Sequence, residues 1–210
     1  MTSTEELIDN LSAMGIAPRT PITPARVLGL WLAVSVASVV VMLAIFGLRA
    51  DLAKKIADGY FVAEIATLAA IMFSAAFAAA NLSFPDNYQR KYSLLLLPLS
   101  LLAFIVGLIF AYLENGAAPL PSHSIICLLC ITMFSMIPAA WMFFLLRRQA
   151  PTNLKMAGSV ALIAACSIGA LTLRLSENTD SIIHLIYWHY LPMVGYALIG
   201  AWLGKKILKW

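Results

Sequence analysis

The residues of this chain whose types and spacing could do chemistry are mainly thiols and imidazoles. Cys127 and Cys130 form the sequence CLLC, and side chains at positions i and i+3 of a helix face nearly the same way. A pair with this spacing can act as a redox dithiol or supply half of a metal site. Further candidate ligands are His123, His184, His189, Glu64 and Glu114. Together they predict a thiol, imidazole and carboxylate cluster suited to zinc or copper.

The elements that must position these side chains are membrane-spanning helices. Of the 210 residues, 62% are hydrophobic and 11% are charged, whereas soluble domains have roughly half apolar and a quarter charged residues. Six apolar stretches are each near the ~20 residues that a helix needs to cross a bilayer. They lie at roughly 27–48, 61–83, 93–113, 124–146, 156–174 and 182–203. The sequence therefore predicts an all-α integral membrane protein with six transmembrane helices.

The basic residues predict the orientation of these helices. Ten of the 14 basic residues would lie at the end of the bundle that carries both termini. The other four are Arg49, Lys54, Lys55 and Arg174. Basic residues accumulate in cytoplasmic loops, so we expect both termini in the cytoplasm. The basic residues of the cytoplasmic loops, which orient the protein in the lipid bilayer, then account for the net charge of +4. Direct nucleic-acid binding is therefore not expected.

Several residues inside the predicted spans have both structural and functional interpretations. Cysteines in membrane helices are commonly small packing residues, which is our interpretation of Cys166. Glu64 is more suggestive, because an ionisable group within a membrane is costly and is often functional. Gly200 and Gly204 have a spacing that permits a close helix contact, although at the very end of the last span.

Four aromatic residues near span ends are expected in an interfacial belt: Trp31, Trp141, Trp202 and Tyr112.

The first 25 residues form a separate tail before the transmembrane domain of residues 26–210. Ser3 and Glu6 have the spacing of a capping box, which predicts a helix from about residue 3 to 14. An apolar stripe on this helix consists of Leu7, Ile8, Leu11 and Met14. A proline-rich spacer at 18–24 follows.

So short a helix is marginal alone in water and needs a surface to pack on. Its acidity argues against a membrane anchor, since anchors of this kind are rich in Lys and Arg, and the connecting loops are too short to cover it. A groove on a basic cytoplasmic partner would suit it. The alternative is a leader with no function.

Features at both ends of the chain are shared with a known family. They are the turn LRRQAP with Arg147, Arg148 and Pro151, the glycines Gly158 and Gly169, the pair Tyr187–Trp188, the closing GKKILKW, and the opening TEELIDNLSA before a proline-rich spacer and Arg26. In their order and spacing they resemble the NrsF-type anti-sigma factors, bacterial six-span inner-membrane proteins that negatively regulate extracytoplasmic-function (ECF) sigma factors. The middle spans match only in character.

The resemblance implies two roles for this chain, which are binding of a sigma factor and sensing of a signal. The cytoplasmic segment would hold an ECF sigma factor inactive through Glu6, Leu7, Ile8, Leu11 and Met14. An envelope signal, a metal or an oxidant, would release it through Cys127, Cys130, His123, His184, His189 or Glu64. The family's second cysteine, expected after the fifth span, is absent from LRLSENTDS, where Ser176 stands instead. This departure argues against a disulfide switch between those spans, and no cofactor is implied.

Two other functions compete with this regulatory one. A membrane thiol oxidoreductase could use Cys127 and Cys130 with a quinone, but it would need a second dithiol, and only Cys166 remains. A small transporter is disfavoured because the sequence shows no internal repeat and no charged or glycine-broken segment in mid-membrane. No catalytic triad, phosphate-binding loop or acid–base pair is recognisable. We therefore expect a regulator and not an enzyme.

Overall fold

The structure is a computed structural model that describes residues 3–13, 22–85, 94–115 and 124–209, and within these ranges it contains helices and no strand. The helices are α1 (Thr4–Ala13), α2 (Pro24–Phe46), α3 (Leu52–Lys55), α4 (Gly59–Leu82), α5 (Leu96–Asn115), α6 (Ser124–Arg147), α7 (Leu154–Ser176), α8 (Ile182–His184) and α9 (Leu191–Ile207). A π-helical segment, Leu185–Tyr190, joins α8 to α9.

Six of these helical segments are long and apolar enough to cross a membrane. They are Pro24–Phe46, Gly59–Leu82, Leu96–Glu114, Ile125–Arg147, Leu154–Ser176 and Ile182–Ile207. The predicted fold, an all-α protein with six candidate membrane spans, is confirmed. The boundaries differ from the predicted ones by a few residues. The last span continues to Ile207, because the helix includes Lys205 and Lys206 beyond the apolar run by which the sequence was divided.

The fifth span, α7, is the central helix of the bundle. In its most apolar window 78% of the residues are buried, against 17–39% in the other five spans. It packs against α4, α6 and α9, and its buried residues include many small ones, such as Ala161, Ala164 and Ala165. Small side chains let neighbouring helices approach closely in a membrane protein, so α7 can be surrounded on several sides.

Glycines make the closest of these approaches, between α7 and α9. A Cβ atom on Gly158 would collide with backbone atoms of Gly200 and Gly204, and a Cβ on Gly204 would collide with the carbonyl oxygen of Leu154. The G-x-x-x-G spacing in the last span therefore marks a helix–helix contact, despite its position at the end of the span.

The aromatic residues predicted for the interfacial belt differ in their exposure. Trp202 and Tyr112 are 54% and 44% exposed, and their place in an interfacial belt stays a prediction. Trp31 is completely buried between α2 and α6, and its indole Nε1 donates to the carbonyl oxygen of Pro138 at 3.0 Å. Assignment of Trp31 to the belt was wrong, because this hydrogen bond satisfies the indole inside the bundle.

The two ends of the bundle carry different parts of the chain. At one end the connection after α2 meets the connection after α7, since the amide of Arg49 donates to the carbonyl oxygen of Leu175 at 2.9 Å. At the other end the last turn of α9 lies against the start of α7, and α2 begins at Pro24. The N-terminal and C-terminal segments therefore leave the bundle at the end opposite the 177–181 connection.

Candidate functional site

Three of the predicted sensing residues lie together at the end of the bundle that carries the 177–181 connection. Sγ of Cys127, on α6, lies 3.4 Å from Nε2 of His184, on α8. His189 follows in the π-helical segment, and the ring centroids of the two histidines are 5.2 Å apart. The fourth member of the group, Glu177, comes from the connection itself, and one ligand atom from each of the four residues lies within 4.8 Å of the others. We call these four residues the Cys–Glu–His–His cluster.

The carboxylate of Glu177 is at the centre of this cluster. Its Oε1 lies 3.6 Å from Sγ of Cys127 and 3.7 Å from Nε2 of His184. Its Oε2 lies 3.3 Å from Nε2 of His189. Burial alone would raise the pKa of Glu177, but its interactions with His189 and Thr179 and the nearby imidazole of His184 lower the pKa to about 2. The group is thus a carboxylate at neutral pH.

The π-helical segment explains how both histidines reach one site. Residues five apart in a regular α-helix point about 140° away from each other. In a π-helix the hydrogen bond joins residues i and i+5, so His184 and His189 lie one turn apart on the same side. Pro192 follows in the first turn of α9, and it lacks the N–H that would donate to the carbonyl of Trp188 in a regular helix.

The cluster is buried and its polar atoms are incompletely paired. His184, His189 and Cys127 are 2%, 1% and 8% exposed. Among the described residues, Nδ1 of His184 and both ring nitrogens of His189 have no hydrogen-bond partner. Nε2 of His189 is therefore close to Glu177 without the alignment of a hydrogen bond. Buried polar groups are nearly always satisfied in native proteins, so such atoms call for an explanation.

Cys130 lies one turn further along α6 and is not part of the cluster. It packs with Trp188 against an apolar group formed by Cys127, Ile131, Phe134 and Leu173. All three cysteines are free thiols, and Cys166 is buried in α7. His123 lies outside the described residues.

Glu64 was predicted to belong to the thiol, imidazole and carboxylate cluster, but it binds other residues. Its carboxylate binds the guanidinium of Arg174 through two contacts, Nε to Oε1 at 2.9 Å and Nη2 to Oε2 at 3.2 Å. It also accepts from the hydroxyl of Tyr190. An intramembrane carboxylate is tolerable when paired in this way. The pairing places Glu64 in an ion pair with Arg174 at the same end of the bundle, outside the Cys–Glu–His–His cluster.

Asp180 joins that ion pair to the connection after α2. It contacts Nη2 of Arg174 at 3.0 Å and Nη2 of Arg49 at 3.1 Å. Lys55 also reaches it at 3.1 Å. Arg49 is further held by Asp51, with Nε 2.7 Å from Oδ1. The 177–181 connection therefore carries two acidic residues, Glu177 in the Cys–Glu–His–His cluster and Asp180 in an ion-pair network.

A second candidate site is the tail helix α1. Its capping box is present, since the amide of Ser3 donates to Oε2 of Glu6 at 3.3 Å and the amide of Glu6 donates to Oγ of Ser3 at 3.2 Å. Leu7 and Ile8 are 54% and 59% exposed. The side chain of Leu11 and the whole of Met14 lie outside the described residues.

Four of the residues that carry the family resemblance lie outside the Cys–Glu–His–His cluster. Arg147 is exposed and Pro151 is buried in the turn between α6 and α7. Arg148 lies over the ring of Phe144, with its Cζ 4.3 Å from the centroid. Trp188 is half-buried beside the cluster's apolar neighbours, and its Nε1 has no hydrogen-bond partner among the described residues.

Comparison with known proteins gives one family. The family model for the negative regulator of sigma F, NrsF, matches residues 13–210. No curated protein and no solved structure matches the chain. The match covers the whole six-span domain and begins at the last residue of α1.

Proposed function

Because the chain belongs to the family of negative regulators of sigma F, we propose that it is an anti-sigma factor that sequesters an ECF sigma factor through its N-terminal segment. The family membership and the six apolar helices make it a multi-pass membrane protein of a sigma-factor-regulating family. The proposal adds the kind of sigma factor, the binding segment, the inner membrane of a bacterium as location, and release by an envelope signal.

The observation that carries the proposal is the exposed apolar face of α1. Every described side chain of this helix is exposed, including Leu7 and Ile8. The family match contains only the last residue of α1, so the argument for this segment rests on its own chemistry. A short capped helix with exposed apolar side chains is suited to a hydrophobic groove on a partner. Glu5, Glu6 and Asp9 make it acidic, which favours a basic partner such as a DNA-binding protein.

The distribution of basic residues supports a cytoplasmic location for both termini. At the end of the bundle with the 177–181 connection, Arg49, Lys55 and Arg174 are all neutralised by carboxylates. The basic residues near the opposite end include Arg147, Arg148, Lys205, Lys206 and Lys209. Ten of the 14 basic residues belong to that end and four to the end with the 177–181 connection. Cytoplasmic loops are the ones enriched in basic residues, which supports the proposed orientation.

The signal would act at the end with the Cys–Glu–His–His cluster. In the proposed orientation this cluster faces the envelope side, while α1 lies on the cytoplasmic side. A signal needs to change the affinity of the tail by only a few kcal/mol to release a bound sigma factor. Helices α6 and α7 run from the cluster to the opposite end and are the direct physical connection between the two.

Co-purification of the sigma factor tests the proposal. We expect the intact protein, but not a variant lacking residues 2–15, to capture an ECF sigma factor from the same genome. Leu7→Gln and Ile8→Gln together should reduce capture at least about tenfold, since burial of a Leu or Ile side chain in a partner's groove contributes about 1.5–3 kcal/mol. Asn10→Gln is the matched control, because it keeps a helix-forming amide at a polar position of α1.

Two outcomes would contradict the proposal. Equal capture by the intact and truncated proteins would show that the segment does not bind the sigma factor. Equal loss with Asn10→Gln and with the double variant would show that the apolar face of α1 has no special role.

A further inference from the structure

We infer that the Cys–Glu–His–His cluster is a binding site for a single divalent transition-metal ion of the zinc type. The four ligands would be Sγ of Cys127, a carboxylate oxygen of Glu177, and Nε2 of His184 and of His189. The site would tie together α6, the 177–181 connection, α8 and the π-helical segment. The inference also identifies the envelope signal as a metal ion. Only this regulatory role rests on the proposed function; the metal site itself does not.

The distances between the ligand atoms fit one shared ion. Zinc lies about 2.0–2.1 Å from nitrogen and oxygen ligands and about 2.3 Å from sulfur, so in a tetrahedron these atoms are about 3.3 to 3.6 Å apart. The distances from Glu177 are 3.3 Å to Nε2 of His189, 3.6 Å to Sγ of Cys127 and 3.7 Å to Nε2 of His184. Cys127 and His184 are 3.4 Å apart. These distances involve both oxygens of Glu177, and one ligand atom from each of the four residues lies within 4.8 Å of the others. Small side-chain movements would therefore bring the four ligand atoms to the spacing of a tetrahedral zinc site.

The orientation of His189 favours a shared ion over direct hydrogen bonding. Its Nε2 is 3.3 Å from Oε2 of Glu177, yet it has no hydrogen-bond partner among the described residues. Because this ring nitrogen is buried and no hydrogen bond in the described residues uses it, it is available as a metal ligand. The metal would also satisfy a buried ring nitrogen that is otherwise left without a partner.

Charge and ligand type narrow the class of ion. A cysteine thiolate and one carboxylate supply two negative charges, which neutralise a divalent ion and avoid a net charge in a buried site. Two imidazoles, one thiolate and one carboxylate suit zinc and its neighbours in the first transition series. Calcium and magnesium require more oxygen ligands than this site provides. Copper(I) prefers several sulfur ligands, and only Cys127 is in the cluster.

Metal binding at this site would affect other helices of the bundle. Glu177 and Asp180 belong to the same short connection, and Asp180 holds Arg49 and Arg174. Arg49 follows α2, and Arg174 of α7 also binds Glu64 of α4. An ion that draws Glu177 towards α6 would therefore act on α2, α7 and α4 through these ion pairs. If the tail sequesters a sigma factor as proposed, this is the means by which an envelope metal ion would alter the bundle.

Metal binding by the full-length protein in detergent micelles tests the inference. We expect one zinc ion per chain in competition with a chromophoric chelator. Cobalt(II) should give intense visible d–d bands of tetrahedral coordination and a thiolate charge-transfer band. Cys127→Ser should abolish the charge-transfer band and weaken zinc binding more than about tenfold, whereas Cys130→Ser, one turn away on the same helix, should leave both unchanged.

A second variant covers the possibility that Cys127→Ser fails to fold. Glu177→Gln keeps the size of the side chain and should weaken zinc binding by a similar factor while retaining the thiolate band. Absence of stoichiometric zinc binding by the intact protein would overturn the inference. So would a thiolate band that is lost in Cys130→Ser and kept in Cys127→Ser.

The outcome is separable from that of the sigma-factor experiment. Zinc binding that is intact while capture of the sigma factor is independent of residues 2–15 would refute the proposed function and leave the metal site standing. Tail-dependent capture without zinc binding would refute the metal site alone. Zinc that binds but leaves capture unchanged would remove the regulatory role and retain the site.

Discussion

At the scale of single residues, the two carboxylates of the 177–181 connection contact different kinds of side chain. Glu177 faces two histidines and a thiol, while Asp180 faces three cations. Asp180 lets the two arginines and Lys55 pack near one another, since it offers both of its oxygens to them. Removing one partner of a buried ion pair is costly because the other is left uncompensated.

The pKa of Asp180 leads to a pH-dependent prediction. Burial alone would raise this pKa, but hydrogen bonds from Arg49, Lys55 and Arg174 lower it to about 2. Because the pKa is lower in the folded state than the ordinary value of about 3.9, the ionised form stabilises the fold above about pH 4. That stability is lost as the pH falls from about 4 to 2.

Comparison with Asp180→Asn measures this contribution. The wild-type protein should have the higher Tm at neutral pH, and the difference in Tm between the two proteins should shrink as the pH falls below about 4. A difference that stays constant down to pH 2 would show that the charge on Asp180 does not stabilise the fold.

At the scale of elements, the sequence predicts regular features well and local irregularities poorly. Apolar runs locate all six spans, and the capping box locates the start of α1. The structure brings together Cys127, His184 and His189 of the predicted group. Cys130 and Glu64, predicted with them, lie outside the Cys–Glu–His–His cluster. Glu177 was missed because it stands in a polar connection where a glutamate is unremarkable. The π-helical segment has no clear sequence signal except the proline at 192.

The contact between α7 and α9 gives a prediction at this scale. Gly158→Leu should destabilise the folded protein by about 1–3 kcal/mol or more, because overpacking forces neighbouring backbones apart, and Gly158 faces the backbone of α9. Gly195→Leu is the control on α9, since a Cβ there meets nothing within 4 Å. Thermal unfolding in detergent should separate the two variants. Equal Tm values would show that the close approach of α7 and α9 is not required.

At the scale of the whole molecule, the two ends of the bundle differ in chemistry. One end carries paired charges and the Cys–Glu–His–His cluster. The other gives rise to the tail helix, whose apolar face is exposed. The distribution of basic residues indicates this polarity from the sequence, but the neutralisation of Arg49, Lys55 and Arg174 depends on contacts distant in sequence. Long-range pairs of this kind are not visible in the sequence alone.

This polarity predicts which positions are accessible from each side of the membrane. In intact bacteria whose native cysteines are replaced by serine, Lys54→Cys should react with a membrane-impermeant maleimide. Lys206→Cys should react only after the membrane is made permeable. The reverse pattern would place the tail outside the cell and refute the proposed orientation together with sigma-factor binding.

The shortness of the 177–181 connection has a consequence for how this protein can vary. Glu177 and Asp180 are three residues apart, so no more than about 11 Å of extended chain separates their Cα atoms. Extra residues between them would supply slack and let each carboxylate keep its own partners while moving independently. Homologues that retain both carboxylates and respond to the same stimulus should therefore keep this spacing, even where other loops gain or lose residues.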